Sequence, residues 1–176
     1  MRRGLAVAIA LLALAGACKR KPPLTANLEK ENKVAVRPVT LFFERGDMLL
    51  GREQRNLALP ENPAAAMPVV IRELFKPPAI LLHARSFPAD TVVRAAYLLP
   101  DGTAFVDLGG VTLTQGWGTG SHEELIAVYA VVETVTANFP EAKRVRILVN
   151  GELAETLAGH VNIARSLAPM PSLVAR

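Results

Sequence analysis

Cysteine is almost absent: Cys18 is the only one in 176 residues. A disulfide within the chain is excluded, and so is a metal centre built from several thiolates of one chain. Aromatic residues are scarce, at 5%, with Trp117 the single tryptophan. Long apolar runs are missing too. Gly4–Ala17 carries no charge but spans 14 residues, about 21 Å as a helix, short of the ~30 Å hydrocarbon core of a bilayer. No later stretch comes nearer. Net positive charge is missing from most of the chain, although the isoelectric point is near 9.6. Residues 1–17 carry +2 and residues 18–37 carry +4, whereas residues 38–176 hold twelve basic and fourteen acidic side chains, a net of −2. A basic nucleic-acid-binding face on the body of the protein is therefore not supported.

What is present begins with an export pattern. Arg2 and Arg3 precede the short apolar run, which ends in small residues, Leu14-Ala15-Gly16-Ala17-Cys18. This resembles the lipobox of bacterial lipoprotein signals, in which cleavage falls before a cysteine that then carries diacylglycerol. Gly16 and Ala17 supply the small side chains that close threading of the backbone requires; Ala15 departs from the usual Leu at its position. The expectation is a signal peptide over 1–17, a lipid on Cys18, and a basic tether over 18–37 with Lys19, Arg20 and Lys21 at the membrane. Lys19 after the cysteine, by resemblance to enterobacterial sorting, points to the outer membrane.

From Pro38 the chain alternates between strand and helix patterns. Val39, Leu41 and Phe43 predict a strand, Glu44–Asp47 a turn, and Met48–Leu59 an irregular stretch. Asn62-Pro63 opens a helix to about Phe75, with Pro68 awkward inside it. Ile80–Ala84 reads as a short strand. Thr91–Leu99 and Thr103–Leu108 flank Pro100-Asp101-Gly102 and predict a hairpin. Ser121 and Glu124 match a capping box for a long, buried helix over Leu125–Phe139. Val145, Ile147 and Val149 form a strand, Asn150-Gly151 a tight turn, and Glu155–Ala158 a return strand. The segment 168–176, with Pro169 and Pro171, is expected to lie outside the core. The order β-α-β-β-α-β predicts an α+β fold: a single mixed sheet with both helices packed on one face, over 38–167.

These residues resemble the GerMN domain, named for a sporulation and spore germination protein, over roughly Val39–Leu167. The match is most specific at Gly120-Ser121-His122-Glu123-Glu124, Asn138-Phe139-Pro140, Val145–Gly151 and Thr156-Leu157-Ala158-Gly159-His160-Val161. Lys76-Pro77 stands where the family usually has Gly-Pro, and the loop Val111–Thr119 does not match the family pattern. The resemblance implies an architecture similar to ring-building motifs, and a non-catalytic interaction or assembly module on an exported or lipid-anchored envelope protein.

Candidate chemistry is sparse. His122 beside Glu123 and Glu124 is the best metal-like cluster, but helix capping and the helix dipole account for it, so no metal and no cofactor are expected. Ser121 next to His122 lacks the geometry of a nucleophile and base. Gly116-Trp117-Gly118-Thr119-Gly120 precedes a helix but lacks P-loop residues. Asp101, Asp107, Glu152 and Glu155 suit turns. Trp117 is either a loop anchor or an exposed partner contact, with Gly116, Gly118 and His122 beside it as the candidate binding residues. The leading expectation is a lipid-anchored, periplasmic-side envelope protein that binds a protein partner or the cell wall and is compatible with self-association. The alternatives are a cell-wall glycan-binding module, or a small hydrolase using His122 or His160.

Overall fold

A computed structural model describes residues 33–176. The signal segment, Cys18 and the tether as far as residue 32 lie outside the described residues. The first strand, β1 (Val34–Arg45), starts four residues before the expected domain boundary. Val34 to Arg37 pair with Pro60 to Leu57 of β2 (Leu49–Pro60) in a continuous antiparallel ladder. The stretch Met48–Leu59 was expected to be irregular because it shows no clean alternation. It is instead a full strand, paired along its length with β1; the alternation is hidden because two of its sheltered positions, Glu53 and Arg55, carry charges that are paired with each other (Arg55 Nε to Glu53 Oε1, 2.7 Å).

Helix α1 (Pro63–Leu74) begins as its sequence dictates: the Asn62 side chain accepts the Ala64 N–H at 2.9 Å and Pro63 fills the first turn. Pro68 does not end it. Ala66, Met67, Val70, Ile71 and Leu74 are all buried on one side, and that packing outweighs the one backbone bond the proline forgoes. Of Ile80–Ala84 only β3 (His83–Ala84) is strand, paired with Glu44 and Arg45. Strands β4 (Val92–Leu98) and β5 (Thr103–Gly109) form the expected hairpin, with Gly102 at φ +81 in its turn. A short helix, α2 (Val111–Thr114), interrupts the glycine-bearing loop before α3 (Ser121–Asn138). Strand β6 (Arg144–Val149) returns parallel to β5, and Asn150 (φ +53) with Gly151 (φ +83) turns it into β7 (Glu152–Leu153). Both positive φ values are what a two-residue hairpin of this hand demands.

The α+β class holds, but the single sheet is corrected to two: β2-β1-β3 and β4-β5-β6-β7. The physical reason lies at the second edge of β1. Asn138 accepts the Thr40 N–H (2.9 Å) and donates to the Thr40 carbonyl (2.7 Å), and Thr134 Oγ1 accepts the Phe42 N–H (3.2 Å). Side chains of α3 occupy the ladder where a further strand would pair. Both helices accordingly touch both sheets and each other. Ile126 to Val135 are buried without a break, Glu133 and Thr134 included, so α3 is covered on every side, as a central helix is.

Two further expectations are corrected. Glu155–Ala158 is not strand, because Leu157 and Ala158 donate their N–H groups to a carboxylate instead of a ladder. The segment after Leu167 is not outside the core. Leu167 exchanges both backbone bonds with Val145 (2.8 and 2.7 Å), the Ala175 N–H reaches the Leu50 carbonyl (2.9 Å), and Val174 and Ala175 are buried. The segment covers strand edges that would otherwise expose unpaired backbone.

Candidate functional site

Four carboxylates that a surface-charge reading treats as solvated are buried, and each holds a loop by its backbone. Glu124, in the first turn of α3, has no solvent exposure. Its Oε1 accepts from Leu157 N–H and Ala158 N–H, both at 2.8 Å, and its Oε2 from His160 N–H at 2.7 Å, with His160 Nδ1 at 3.1 Å. Gly159, at φ +100, bends the chain so that these donors converge. Burial pushes the Glu124 carboxyl up, but the converging backbone donors outweigh it and hold it below the ordinary glutamate range. The expected capping box is thereby corrected. Gly120 is the N-cap, Ser121 is the first helical residue and makes no cap bond, and Glu124 is turned inward to the 157–160 segment. With both oxygens occupied by donors, Glu124 has no lone pair directed at a substrate.

Glu53 on β2 repeats the device. It accepts from Ala79 N–H (3.0 Å) and Ile80 N–H (3.2 Å), and its Oε2 lies 3.6 Å from His83 Nδ1. Burial raises its pKa, and the Arg55 guanidinium with the two N–H groups brings it below the usual value. Asp107 accepts the Gly151 N–H at 2.7 Å and pairs with Arg94 at 3.1 Å. Glu133 accepts the Met170 N–H at 2.6 Å. Here burial wins: the Glu133 carboxyl is pushed up despite the Met170 bond and the Arg52 charge. Glu133→Gln keeps an acceptor for Met170 and removes a poorly compensated charge. It is expected to leave stability unchanged or to raise it by up to about 1 kcal/mol; a loss above about 2 kcal/mol in urea unfolding contradicts the assignment.

The residues singled out from sequence do not converge. The Trp117 ring stacks on Phe87 (5.8 Å between centroids), which packs on Phe75 (4.9 Å). Gly116 (φ +102) and Gly118 border it in open space. His122 is half-buried, with its Nε2 sheltered and unpartnered. His83 lies between Phe43 and Glu53, and His160 sits at the exposed side of the Glu124 cradle. Among the described residues no group of three His, Cys, Asp or Glu side chains is placed to hold a metal ion. No described helix is long and apolar enough to cross a membrane.

The sequence reading missed a surface feature. Ile80, Leu81 and Leu82 are consecutive and exposed (42%, 98% and 75%), and Met48, in the β1–β2 turn, is 64% exposed. Leu82 and the turn residues Arg45, Gly46 and Asp47 line one shallow hollow of about 380 Å³. The exposed tip is held from beneath by Glu53 through Ala79 and Ile80. Pro77-Pro78 just before three aliphatic residues was the available signal: the prolines deny the run a central strand.

The Germane family model, described as sporulation and spore germination, matches residues 40–155. Among solved structures, a candidate lipoprotein from Clostridium perfringens aligns with a TM-score of 0.55 at 18% identity, over 80% of this chain and 94% of that one. The tandem GerMN domains of the sporulation protein GerM from Bacillus subtilis align with a TM-score of 0.55 at 19% identity, over 76% of this chain and 46% of that one. Both likenesses concern the fold. No curated protein sequence matches significantly. With the two-sheet α+β fold and a family match over most of its length, the chain belongs to the Germane, or GerMN, domain family.

Proposed function

We propose that this protein is a lipid-anchored envelope protein whose GerMN domain works by binding and assembling with another protein, not by catalysis. The observation that carries this reading is the exposed aliphatic tip Ile80–Leu82 with Met48. Clustered exposed apolar side chains mark interaction surfaces. A tip that is merely loose would be expected to fold back onto the core. This one is fixed outward by two backbone bonds to the buried Glu53. The lipidation pattern at Cys18 supports the anchor, and the family supports a sporulation- or germination-related module. The buried carboxylates favour a non-catalytic role, since each is engaged by backbone donors.

The anchor is tested by labelled fatty acid uptake: wild type takes up label and Cys18→Ala does not. Uptake by Cys18→Ala overturns the lipid assignment. The contact is tested with Leu81→Asp/Leu82→Asp, which is expected to abolish co-purification with the partner after crosslinking in intact cells while leaving the thermal midpoint within a few degrees. Unchanged co-purification contradicts the tip as the contact.

A further inference from the structure

The outer face of the second sheet carries a different constellation. Residues 104, 106 and 108 of β5 and 145 and 147 of β6 point to the core. Residues 103, 105, 144 and 146 therefore point the other way. Tyr97, Phe105 and Arg146 stand opposite one another in one row across β4, β5 and β6. The Tyr97 and Phe105 rings stack at 5.1 Å with 4° between their planes. Arg146, Phe105, Leu99 and Leu153, with Ser166 and Arg144, line a notch of about 410 Å³. Tyr97, Leu99 and Leu153 are exposed (42%, 39% and 65%).

The two arginines differ. Arg144 is committed: its Nη2 pairs with Asp101 at 2.8 Å and its Nε donates to Thr103 Oγ1 at 2.8 Å. Arg146 Nε is buried and has no hydrogen-bond partner among the described residues. The buried Nε itself is closed to a ligand, so an incoming carboxylate meets the notch-lining part of the Arg146 side chain, where a charge-assisted bond neutralises a cation that has no ion-pair partner among the described residues. We propose that this notch binds an acidic side chain of a partner protein, presented within an apolar segment that covers Phe105, Leu99 and Leu153. The charge complementarity is local: Asp101 and Arg144, which also line the notch, offset each other, and Arg146 leaves it a net charge of +1. A saccharide fits less well. Asp101 and Thr103 are already bonded to each other and to Arg144, which leaves Ser166 and Arg146 to meet many hydroxyls, and unmet hydroxyls cost affinity. A membrane surface would need more cations than one.

The test uses the full chain in detergent micelles and two capped pentapeptides, one with glutamate flanked by leucines and one with glutamine in its place. Binding is followed by the NMR shift of the Arg146 side-chain Nε–H. The glutamate peptide is expected to bind saturably, to weaken as salt rises, and to bind about tenfold or more tightly than the glutamine peptide. Arg146→Met is expected to lower its affinity by a similar factor. Equal binding of the two peptides overturns the proposal, as does preferential binding of a uronic-acid oligosaccharide or of anionic vesicles. If Arg146→Met does not fold, the peptide pair on the wild type decides alone. This face is separate from the Ile80–Leu82 tip, so failure here leaves that reading standing.

Discussion

Glu124→Ala is expected to destabilise the domain by about 3–5 kcal/mol in urea unfolding, because it strips the acceptor from three backbone N–H groups at once. Leu157 is buried, and its N–H cannot turn to water in place. Glu124→Gln is expected to be nearly as costly. One amide oxygen can still serve Leu157 and Ala158, but the amide nitrogen then faces the His160 N–H, donor against donor. The contrast with Glu133→Gln separates a carboxylate that needs two acceptor oxygens from one that needs a single oxygen. A loss under about 1 kcal/mol for both Glu124 variants would show that the cradle is not structural.

Buried carboxylates also set an acid limit. Glu124 and Glu53 are held below their ordinary values because hydrogen bonds, with the Arg55 guanidinium for Glu53, outweigh burial; so is Glu73 of α1, whose carboxylate pairs with Lys76 (2.6 Å) and Arg55 (2.8 Å). A folded pKa below the unfolded value of about 4.3 means that the stabilisation is complete above that value and is lost as pH falls through the folded one. Stability should therefore fall steeply below about pH 4. Glu133 acts in the opposite sense: its raised pKa makes it a burden at neutral pH that protonation relieves. Removing Glu124 should flatten the acid limb of the stability profile, as read from urea midpoints across pH.

The second large effect is expected at Gly51 of β2. A Cβ there would lie 2.2 Å from His83 Nε2 and 2.9 Å from His83 Cδ2. The His83 side chain is 5% exposed and stacks beside Phe43, so the ring must leave. Gly51→Ala should cost about 2–3 kcal/mol, release β3 from β1, and raise hydrogen exchange over 80–84. Gly51→Ala/His83→Ala should regain most of the loss, since the clash is with the ring alone. A single variant as stable as wild type, or a double variant no better than the single, contradicts this packing.

The long elements were legible because one signal served each of them. The step of apolar residues along α3, Asn62-Pro63 before α1, Pro100-Asp101-Gly102 between β4 and β5, and Asn150-Gly151 after β6 all act through nearest neighbours in sequence. What was not legible depends on distant partners. Glu124 matches a capping box locally, and only the fold brings Leu157, Ala158 and His160 to it. Glu53 and Arg55 conceal β2 because a buried ion pair replaces apolar side chains. The break into two sheets depends on Thr134 and Asn138 reaching across to Thr40 and Phe42, polar residues with no periodic signature. The apolar tip escaped notice because Ile80–Ala84 reads as a short apolar strand, whereas only His83–Ala84 is strand and Ile80–Leu82 are exposed.

The central claim is that this GerMN domain functions by contact through its fixed aliphatic tip. The most direct measurement is site-specific photo-crosslinking in intact cells, with the crosslinking residue at position 81 and, as control, at position 54 on the exposed side of β2. A discrete protein adduct from position 81, absent from position 54 and lost with Leu82→Asp, is the result predicted here. Equal adducts from both positions, or an adduct from position 81 that survives Leu82→Asp, would contradict it.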